Sequence, residues 1–468
     1  MDKDAYIKQL EAEVIQLKKH ITMLEKRIEE LERLLGMNSR NSSKPPSSDP
    51  PGMTTALPRK LRRKKRGARK GHQPHLRELM QEKFVQKHIP VKPEVCTCGS
   101  TNLEKTDQEP MRHQIVDIPP IEPQVTEYVQ HLFRCKDCGE LIYQPLPDDI
   151  KRQYFGPGVL AIVAVLTGML NISKRKALAM MNQVFSIPMS LGGLSNCEAQ
   201  LVDALEQPYN EVAQHVRVQQ TAHADETGWP IGNRKKGWLW TLCCSTAAFF
   251  MVHAHRGQDA AQKLLGTFAG ILACDRWSGY NRFDGSRQLC WAHLKRDFQA
   301  LSERKGSMGR IGNELFHLAK HILYLRKRVR DGTLTWQTFQ RRMEPLIKQT
   351  EKLLARGASC GQSLSGRCRR IHNMREHLWT FVQDATVEPT NNLAERIVRQ
   401  GVFWRKGSFG TQSERGARYV ERILTVCATC RLQGRSVIEY LRSICHCHLK
   451  GITVPLLIKP ACSPNNSA

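Results

Sequence analysis

The run Ala222-His223-Ala224-Asp225-Glu226-Thr227-Gly228-Trp229 decides how this chain is read. Residues Thr221 to Ala224 alternate into a strand, predicted over Gln219 to Asp225, so that Asp225 falls at a strand end. The apolar run Gly270-Ile271-Leu272-Ala273-Cys274 ends on Asp275 in the same way. Two such strands, if neighbours in one sheet, bring their carboxylates to one edge, where oxygen ligands suit hard divalent cations, Mg²⁺ first. A third acid, Glu395, lies in Glu388-Pro389-Thr390-Asn391-Asn392-Leu393-Ala394-Glu395-Arg396-Ile397-Val398-Arg399. Pro389 suits a first helical turn, and Asn391, Glu395 and Arg399 follow at i, i+4 spacing on one helix face.

Each acid alone has a plainer reading. Asp225 serves as a turn or cap residue, Asp275 opens the Trp277-Ser278-Gly279-Tyr280 loop, and Glu395 pairs with Arg399 on a solvated helix. It is the combination that points to a metal-dependent site, with Glu226 and Glu388 the nearest substitutes for Glu395.

Around these acids the pattern alternates strands and helices. Further strands are predicted at Gly237 to Cys244 and Ala247 to Ala254, a helix near Asp259 to Leu265, then the strand ending at Asp275 and another at Gln288 to Ala292. That order suits a mixed sheet, an antiparallel hairpin followed by a parallel crossover. From Asp297 to about Ala385 the chain is helical and basic, with long helices at Ile311 to Val329 and Trp336 to Leu354. Phe155 to Val216 reads as a helical domain before the sheet. Lys174 to Leu201 fits a helix-turn-helix less well than ordinary packing helices.

The 468 residues allow several domains and a substantial core. A formal net charge of +27 and a pI near 9.7 argue for a polyanionic partner, nucleic acid before membrane. The longest apolar stretch, Val159 to Leu170, is too short to span a bilayer and reads as a buried helix. Sixteen cysteines without a secretory signal fit a reducing cytoplasm.

Ile7, Leu10, Val14, Leu17, Ile21, Leu24, Ile28, Leu31 and Leu35 recur at alternating spacings of three and four. With β-branched residues mostly at a and leucine at d, this seam predicts a parallel coiled-coil dimer over residues 7–35. The alternative is an amphipathic helix packed on its own chain. Residues 38–58 form a Ser/Pro-rich linker. The run Arg59, Lys60, Arg62, Arg63, Lys64, Lys65, Arg66, Arg69 and Lys70 follows, suited to neutralising phosphates without reading sequence. Cys96-Thr97-Cys98-Gly99 and Cys135-Lys136-Asp137-Cys138-Gly139 are thiol pairs, each followed by glycine, separated by strand-like alternation. Thiolates on such turns are what a zinc ribbon needs, although Cys-x-Cys is tighter than the usual Cys-x-x-Cys. Buried reduced thiols are the alternative. Cys427, Cys430, Cys445, Cys447, His446 and His448 form a weaker second metal candidate, better read as packing helix.

The blocks His223 to Trp229, Cys290-Trp291-Ala292-His293-Leu294-Lys295-Arg296-Asp297-Phe298 and Pro389 to Arg396 resemble those of the insertion sequence 66 transposases, the TnpC-type proteins, in the family's order. Asn41-Ser42-Ser43-Lys44-Pro45-Pro46-Ser47-Ser48-Asp49 and Arg405-Lys406-Gly407-Ser408 extend the resemblance over nearly the whole chain. It implies a ribonuclease-H-like core with a helical insertion, and DNA transposition by a DDE-type enzyme with Asp225, Asp275 and Glu395 as its catalytic acids. Asp225 would bridge two Mg²⁺ or Mn²⁺ ions, Asp275 and Glu395 would each hold one, and Arg399, Arg405 and Lys406 would clamp phosphates. His293 would touch the DNA or the metal site, with a structural role as the alternative for a lone histidine. The resemblance further implies a zinc module at the cysteine pairs, DNA ends and target as partners, and accessory proteins of the same element. Two other classes stay open: a DNA-binding regulator that has lost cleavage, and a structure-selective nuclease on the same fold.

The expected organisation is therefore a multidomain α/β chain. Its parts are a coiled coil (1–36), a basic linker (37–75), a zinc ribbon (76–150), a helical domain (151–216), a catalytic core (217–425, insertion about 297–385) and a helical tail (426–468).

Overall fold

The computed structural model of the chain describes residues 3–42, 49, 77–151, 153–233, 235–361 and 365–458. The basic run Arg59 to Lys70 lies outside them. Helix α1 (Lys3–Leu35) carries the predicted apolar seam over its length, and every seam residue is exposed, from 43% at Leu10 to 88% at Leu35. The seam therefore packs on no other part of the described chain.

From Arg77 to Pro147 regular structure is limited to a 3-10 turn (Glu82–Phe84) and an antiparallel hairpin of β1 (Leu132–Arg134) and β2 (Leu141–Tyr143). All six hairpin residues are exposed. The strand-like alternation read between the cysteine pairs yields only β1, because no second layer among the described residues covers an apolar face there.

A short α2 (Asp148–Lys151) leads into α3 (Pro157–Ala164), α4 (Lys174–Gln183), α5 (Leu191–Ala204) and α6 (Glu206–Arg217). The apolar stretch at Val159 to Leu170 is buried or half-buried as expected, except at its last residue, Leu170, which is exposed. Its second half, however, loosens into a π-helical turn, Val165–Met169, containing Gly168. A Cβ on Gly168 would lie 2.3 Å from Ile423 Cγ1, so glycine permits the close approach of a C-terminal helix there. Leu194, Cys197 and Leu201 of α5 are fully buried, as in a packing helix.

The sheet comprises β3 (Thr221–Gly228), β4 (Trp238–Cys243), β5 (Ala248–His253), β6 (Ile271–Cys274) and β7 (Arg287–Leu289), with α7 (Gln258–Leu265) crossing between β5 and β6. Its order is β5-β4-β3-β6-β7. β3, β4 and β5 run antiparallel in succession, whereas β6 runs parallel to β3 and β7 parallel to β6. This is the mixed α/β sheet read from the sequence, with two boundary corrections. β3 continues to Gly228, so Asp225 lies inside a strand, because β4 keeps pairing with it as far as Gly228↔Trp238. β7 stops at Leu289, and Trp291 already opens the next helix.

That helix is α8 (Trp291–Ser302), and α9 (Gly306–Arg330), α10 (Trp336–Ser359), α11 (Ser365–Asn373) and α12 (Thr380–Gln383) complete a helical block between β7 and the helix bearing Glu395. The chain then forms α13 (Asn392–Ser408), α14 (Glu414–Leu432) and α15 (Val437–Lys450). One buried apolar cluster runs from Leu160 to Leu457. α14 spans the border expected at 425 and lies on β5, while α15 lies against α3. The helical segments on either side of the sheet thus share its core. Cys427, Cys430 and Cys445 are buried in this core, and burial pushes their thiols up to about 12, 11 and 12, as for packing residues.

Candidate active site

The parallel register of β3 and β6 sets the site. The pairing ends at His223↔Ala273, so Asp225 on β3 and Asp275, just past β6, each lie two residues beyond that last pair. Asp225 is thus at the carboxyl end of the parallel ladder although it is not at the end of its own strand.

Helix α13 is bolted to the same level. Asn391 is buried, and its amide Nδ2 donates to the Ala224 carbonyl at 2.7 Å. Its Oδ1 lies 3.2 Å from His223 Nδ1, and its backbone N–H donates to Cys290 Sγ at 3.2 Å. Burial holds His223 below the ordinary histidine pKa, so a neutral ring donating from Nδ1 satisfies Asn391. The Trp291 N–H also reaches the Pro389 carbonyl at 2.9 Å. One turn after Asn391 comes Glu395. Asn391, read from sequence as part of a functional face, is instead a strut between β3, α8 and α13.

The three acids converge electrostatically. Burial, then the charges of Glu226, Asp275 and Glu395, raises the Asp225 carboxyl well above the usual carboxylate range. Among the described residues, neither Asp225 nor Asp275 forms an ion pair. Asp275 accepts the Trp277 N–H through Oδ1 at 2.9 Å, which also makes it the loop-opening residue of the plainer reading. Glu395 has only long contacts, 3.5 Å to His293 Nδ1 and 3.8 Å to Arg296 Nη2. Its Oε1 and His293 Nδ1 are both buried without a hydrogen-bond partner. The carboxylate oxygens of Asp225, Asp275 and Glu395 do not all come within 4.8 Å of one another, but the desolvated, unpartnered Glu395 Oε1 is a donor that a hard divalent cation would satisfy. Among the described residues, Cys290, His293 and Glu395 bring one potential ligand atom each within 4.8 Å of one another, and Asp225 and Asp275 do not join that group.

The two substitutes for Glu395 are engaged elsewhere. Glu226 Oε1 accepts from Arg256 Nη2 and Nε at 2.7 and 2.9 Å, and Tyr280 donates to Oε2 at 2.9 Å. Glu388 faces Arg326 at 3.3 Å, whose guanidinium also bonds the carbonyls of Ala385 and Val387. Arg326 thereby ties α9 of the helical block to the segment entering α13.

The remaining block residues have structural roles. Asp297 on α8 pairs with Arg276, one residue after Asp275, and with Arg367 at 3.3 Å. Trp291 is buried beside Trp379 and Phe381. Of the expected phosphate clamps, Arg399 and Lys406 are exposed on α13, whereas Arg405 donates to Thr227 Oγ1 and the Gly228 carbonyl at the end of β3. Arg256 and Arg276 carry no sequence signal, and Trp277 and Tyr280 read there only as loop residues. They lie on connections where no periodicity announces a partner.

The cysteine pairs form two matching turns. Cys96 N–H donates to Ser100 O and Gly99 N–H to Cys96 O, while Cys135 N–H donates to Glu140 O and Gly139 N–H to Cys135 O. Gly99 and Gly139 sit at φ +88° and +78°, a conformation suited to glycine. The Cys98 backbone N–H, then its thiol, lowers the Cys96 pKa, and the Cys138 backbone N–H does the same at Cys135. Amides aimed at sulfur favour thiolates, the form that binds zinc. The pairs remain apart: no three of these four sulfurs come within 4.8 Å of one another.

Comparison with known proteins bears directly on this geometry. The profile of the transposase IS66 family matches residues 152–419, which span every strand of the sheet and all three acids. The chain belongs to the IS66 transposase family. The zinc-finger binding domain of transposase IS66 matches residues 93–139, covering both cysteine pairs. A family of unknown function matches residues 2–78. Among curated relatives, uncharacterized protein y4hP of Sinorhizobium fredii is 26% identical over 73% of this chain and 68% of its own. Uncharacterized protein y4qI of the same organism is 23% identical over 80% and 73%. Family membership thus brings a transposase domain and a zinc-finger domain into one chain. No helix among the described residues is long and apolar enough to cross a membrane.

Proposed function

We propose that this protein is a DDE-type DNA transposase with a ribonuclease-H-like core. It would bind the ends of its insertion sequence, cleave them hydrolytically and join the freed 3′-hydroxyl to target DNA. The observation that carries the reading is the placement of Asp225 and Asp275 at the same end of two parallel strands, with Glu395 on the helix that Asn391 ties to β3 and the Arg256 guanidinium taken up by Glu226. The sheet order, an antiparallel three-strand meander extended by two parallel strands, supports the core assignment.

In this reading Asp225, Asp275 and Glu395 would hold Mg²⁺ or Mn²⁺. When bound, the cations activate water or the 3′-hydroxyl and stabilise the leaving oxygen, so no protein nucleophile is required. The chain's own contribution is positioning. Asn391 fixes α13 against β3, Arg276 and Asp297 fix the loop after Asp275, and Arg399 and Lys406 offer exposed charge to the phosphates on either side. Cys96, Cys98, Cys135 and Cys138 would together hold one Zn²⁺, and the ribbon with the basic run from Arg59 to Lys70 would engage the DNA ends. The seam of α1 would pair two copies, as the two ends of one element require. Accessory proteins of the element remain candidate partners, and the protein would work in the cytoplasm on nucleoid DNA.

The test is cleavage and joining of a labelled end duplex with Mg²⁺ or Mn²⁺, comparing wild type with Glu395→Gln at matched DNA binding. Activity in wild type alone supports the assignment. Cleavage without joined product favours a structure-selective nuclease, and DNA binding without cleavage by either protein favours a regulator.

A further inference from the structure

A cavity of about 530 Å³ opens beside the carboxylates, lined by Lys236, Trp238, Ala254, His255, Arg256 and Trp277. The transposase chemistry proposed above uses none of these residues. Trp277 follows β6, and its backbone N–H is held by Asp275 Oδ1. Arg256 follows β5 and is fixed by its two bonds to Glu226, the residue after Asp225. Two lining residues are therefore bonded either to a catalytic acid or to its chain neighbour.

The lining has a specific chemistry. The Arg256 guanidinium lies 4.9 Å from the ring centre of Trp238 and 4.8 Å from that of Trp277. With Glu226 locking it, the guanidinium bridges the two half-buried indoles in one pre-positioned cation–π group. Trp277 is braced from behind by Trp240 and Tyr280, at 5.5 and 5.4 Å between ring centres. Arg256 is neutralised by Glu226, but Lys236 is exposed, forms no ion pair among the described residues, and lies over Trp238 at 5.7 Å. A flat π-faced group stacks on such a platform, and an anionic group attached to it meets Lys236 and His255 at the rim. That combination is a nucleotide: indoles and guanidinium planes stack any base, and lysine acts as a point charge for phosphate.

We propose that this cavity holds one unstacked nucleotide of the DNA strand beside the phosphate being cut. This inference rests on the transposase reading for the position of the strand. Drawing a base out of the duplex costs a few kcal/mol, which stacking of about 1–3 kcal/mol per base and the Lys236 contact offset. The pocket then fixes the register of the scissile phosphate over the three acids, so Trp238, Lys236 and Arg256 are positioning residues.

The experiment uses the full-length protein and end duplexes in which 2-aminopurine replaces one base at a time across the cleavage junction. Glu395→Gln is the background, so that no turnover is needed. A rise in 2-aminopurine emission, or its quenching by indole, is expected at one junction position only. It should be lost in Trp238→Ala, recovered in Trp238→Phe, and weakened several-fold in Lys236→Ala, whose exposed side chain leaves folding unaffected. Duplex affinity should change less than about twofold, since phosphate contacts elsewhere dominate it. No position-specific signal, or one that persists in Trp238→Ala, overturns the proposal. So does a response to free dAMP at millimolar concentration with none from any DNA position. Loss of the transposase reading is seen separately, as absence of cleavage by wild type on the same duplexes.

Discussion

Asn391, the N-cap of α13, donates its side-chain amide to the Ala224 carbonyl on β3 at 2.7 Å, one residue before Asp225 and one turn before Glu395. A single buried amide therefore sets the distance between an acid on the sheet and an acid on a helix separated from it by 170 residues of sequence, position 225 to position 395. Asn391→Ala leaves the Ala224 carbonyl and His223 unpaired and should lower stability by about 1–3 kcal/mol. Cleavage should fall further than the loss of folded protein explains, because Glu395 is no longer held. Asn391→Asp, which keeps one acceptor and loses the donor, should be intermediate in melting temperature. Comparing melting temperature with cleavage by folded protein at low temperature checks both.

The carboxylate cluster predicts a conflict between stability and function. A buried acid whose folded pKa is raised favours the native state while protonated in both forms, and that advantage is lost as pH rises through the folded value. Asp225 is such a group, so without divalent cation it destabilises the fold at neutral pH. Asp225→Asn should raise the melting temperature in EDTA and abolish cleavage. Mg²⁺ should stabilise the wild type and have a smaller effect on the variant. Thermal melts with and without Mg²⁺ decide this; equal Mg²⁺ shifts in both proteins would remove Asp225 from the metal site.

Glu226 stands next in sequence to Asp225 but answers to different partners. Glu226→Gln still accepts from Arg256 and Tyr280, so it should keep far more activity than Asp225→Asn. Arg256→Ala leaves the buried Glu226 without two of its hydrogen bonds and should cost about 1–3 kcal/mol. Chemical denaturation and cleavage rates separate the two effects, and a Glu226→Gln variant as inactive as Asp225→Asn would return Glu226 to the list of metal ligands.

Away from the site, Glu421 on α14 accepts the Val252 N–H of β5 at 2.6 Å, and burial pushes its carboxyl up to about 7. The native form holds a proton that the unfolded chain has already released above the ordinary glutamate value. Stability should decline as pH rises from about 4.5 to 7, by roughly 3 kcal/mol for a shift of this size. Glu421→Gln keeps the acceptor and should flatten that part of the profile, measured as denaturation midpoints across pH 5–8.

Much of this was legible in the sequence where local pattern and chemistry coincide. The strands bearing Asp225 and leading to Asp275, and the long helices between Asp297 and Glu395, follow from period and run length. What was not legible depended on pairing. That β3 continues past Asp225 is decided by β4 on its far side, a partner the strand's own residues do not name. Likewise Arg256 reaches Glu226 and Arg326 reaches the segment before α13 across 30 and 59 or more positions, distances at which no sequence spacing signals contact. The shared core of α3, α14 and α15 was hidden for the same reason, since their apolar faces look alike whether they pack locally or across the chain.

The cysteine module should behave as a separate metal-dependent unit. Its hairpin is fully exposed, and the main apolar cluster begins only at Leu160, so little besides a metal can order residues 93–139. Cys135→Ser should remove about one Zn²⁺ per chain, read by atomic absorption, and leave the main melting transition in place. Binding to end DNA should weaken. Unchanged zinc content in the variant would show that the four thiols are not the ligands.

The last prediction concerns α1. Nine seam residues from Ile7 to Leu35 are exposed along one 33-residue helix, an apolar stripe that water alone would leave marginally stable. β-branched a positions with leucine at d favour two parallel strands, so the full-length protein should be a dimer at micromolar concentration. Removing residues 1–36 should give a monomer whose core melts unchanged, because no seam residue packs on it. Leu17→Lys with Leu24→Lys places charge at two d positions and should dissociate the dimer without shortening the chain. Light scattering reads the mass directly. A dimer that survives both changes would move the interface to another surface, whereas a monomeric wild type would leave the stripe without its second copy and overturn the pairing of ends through α1.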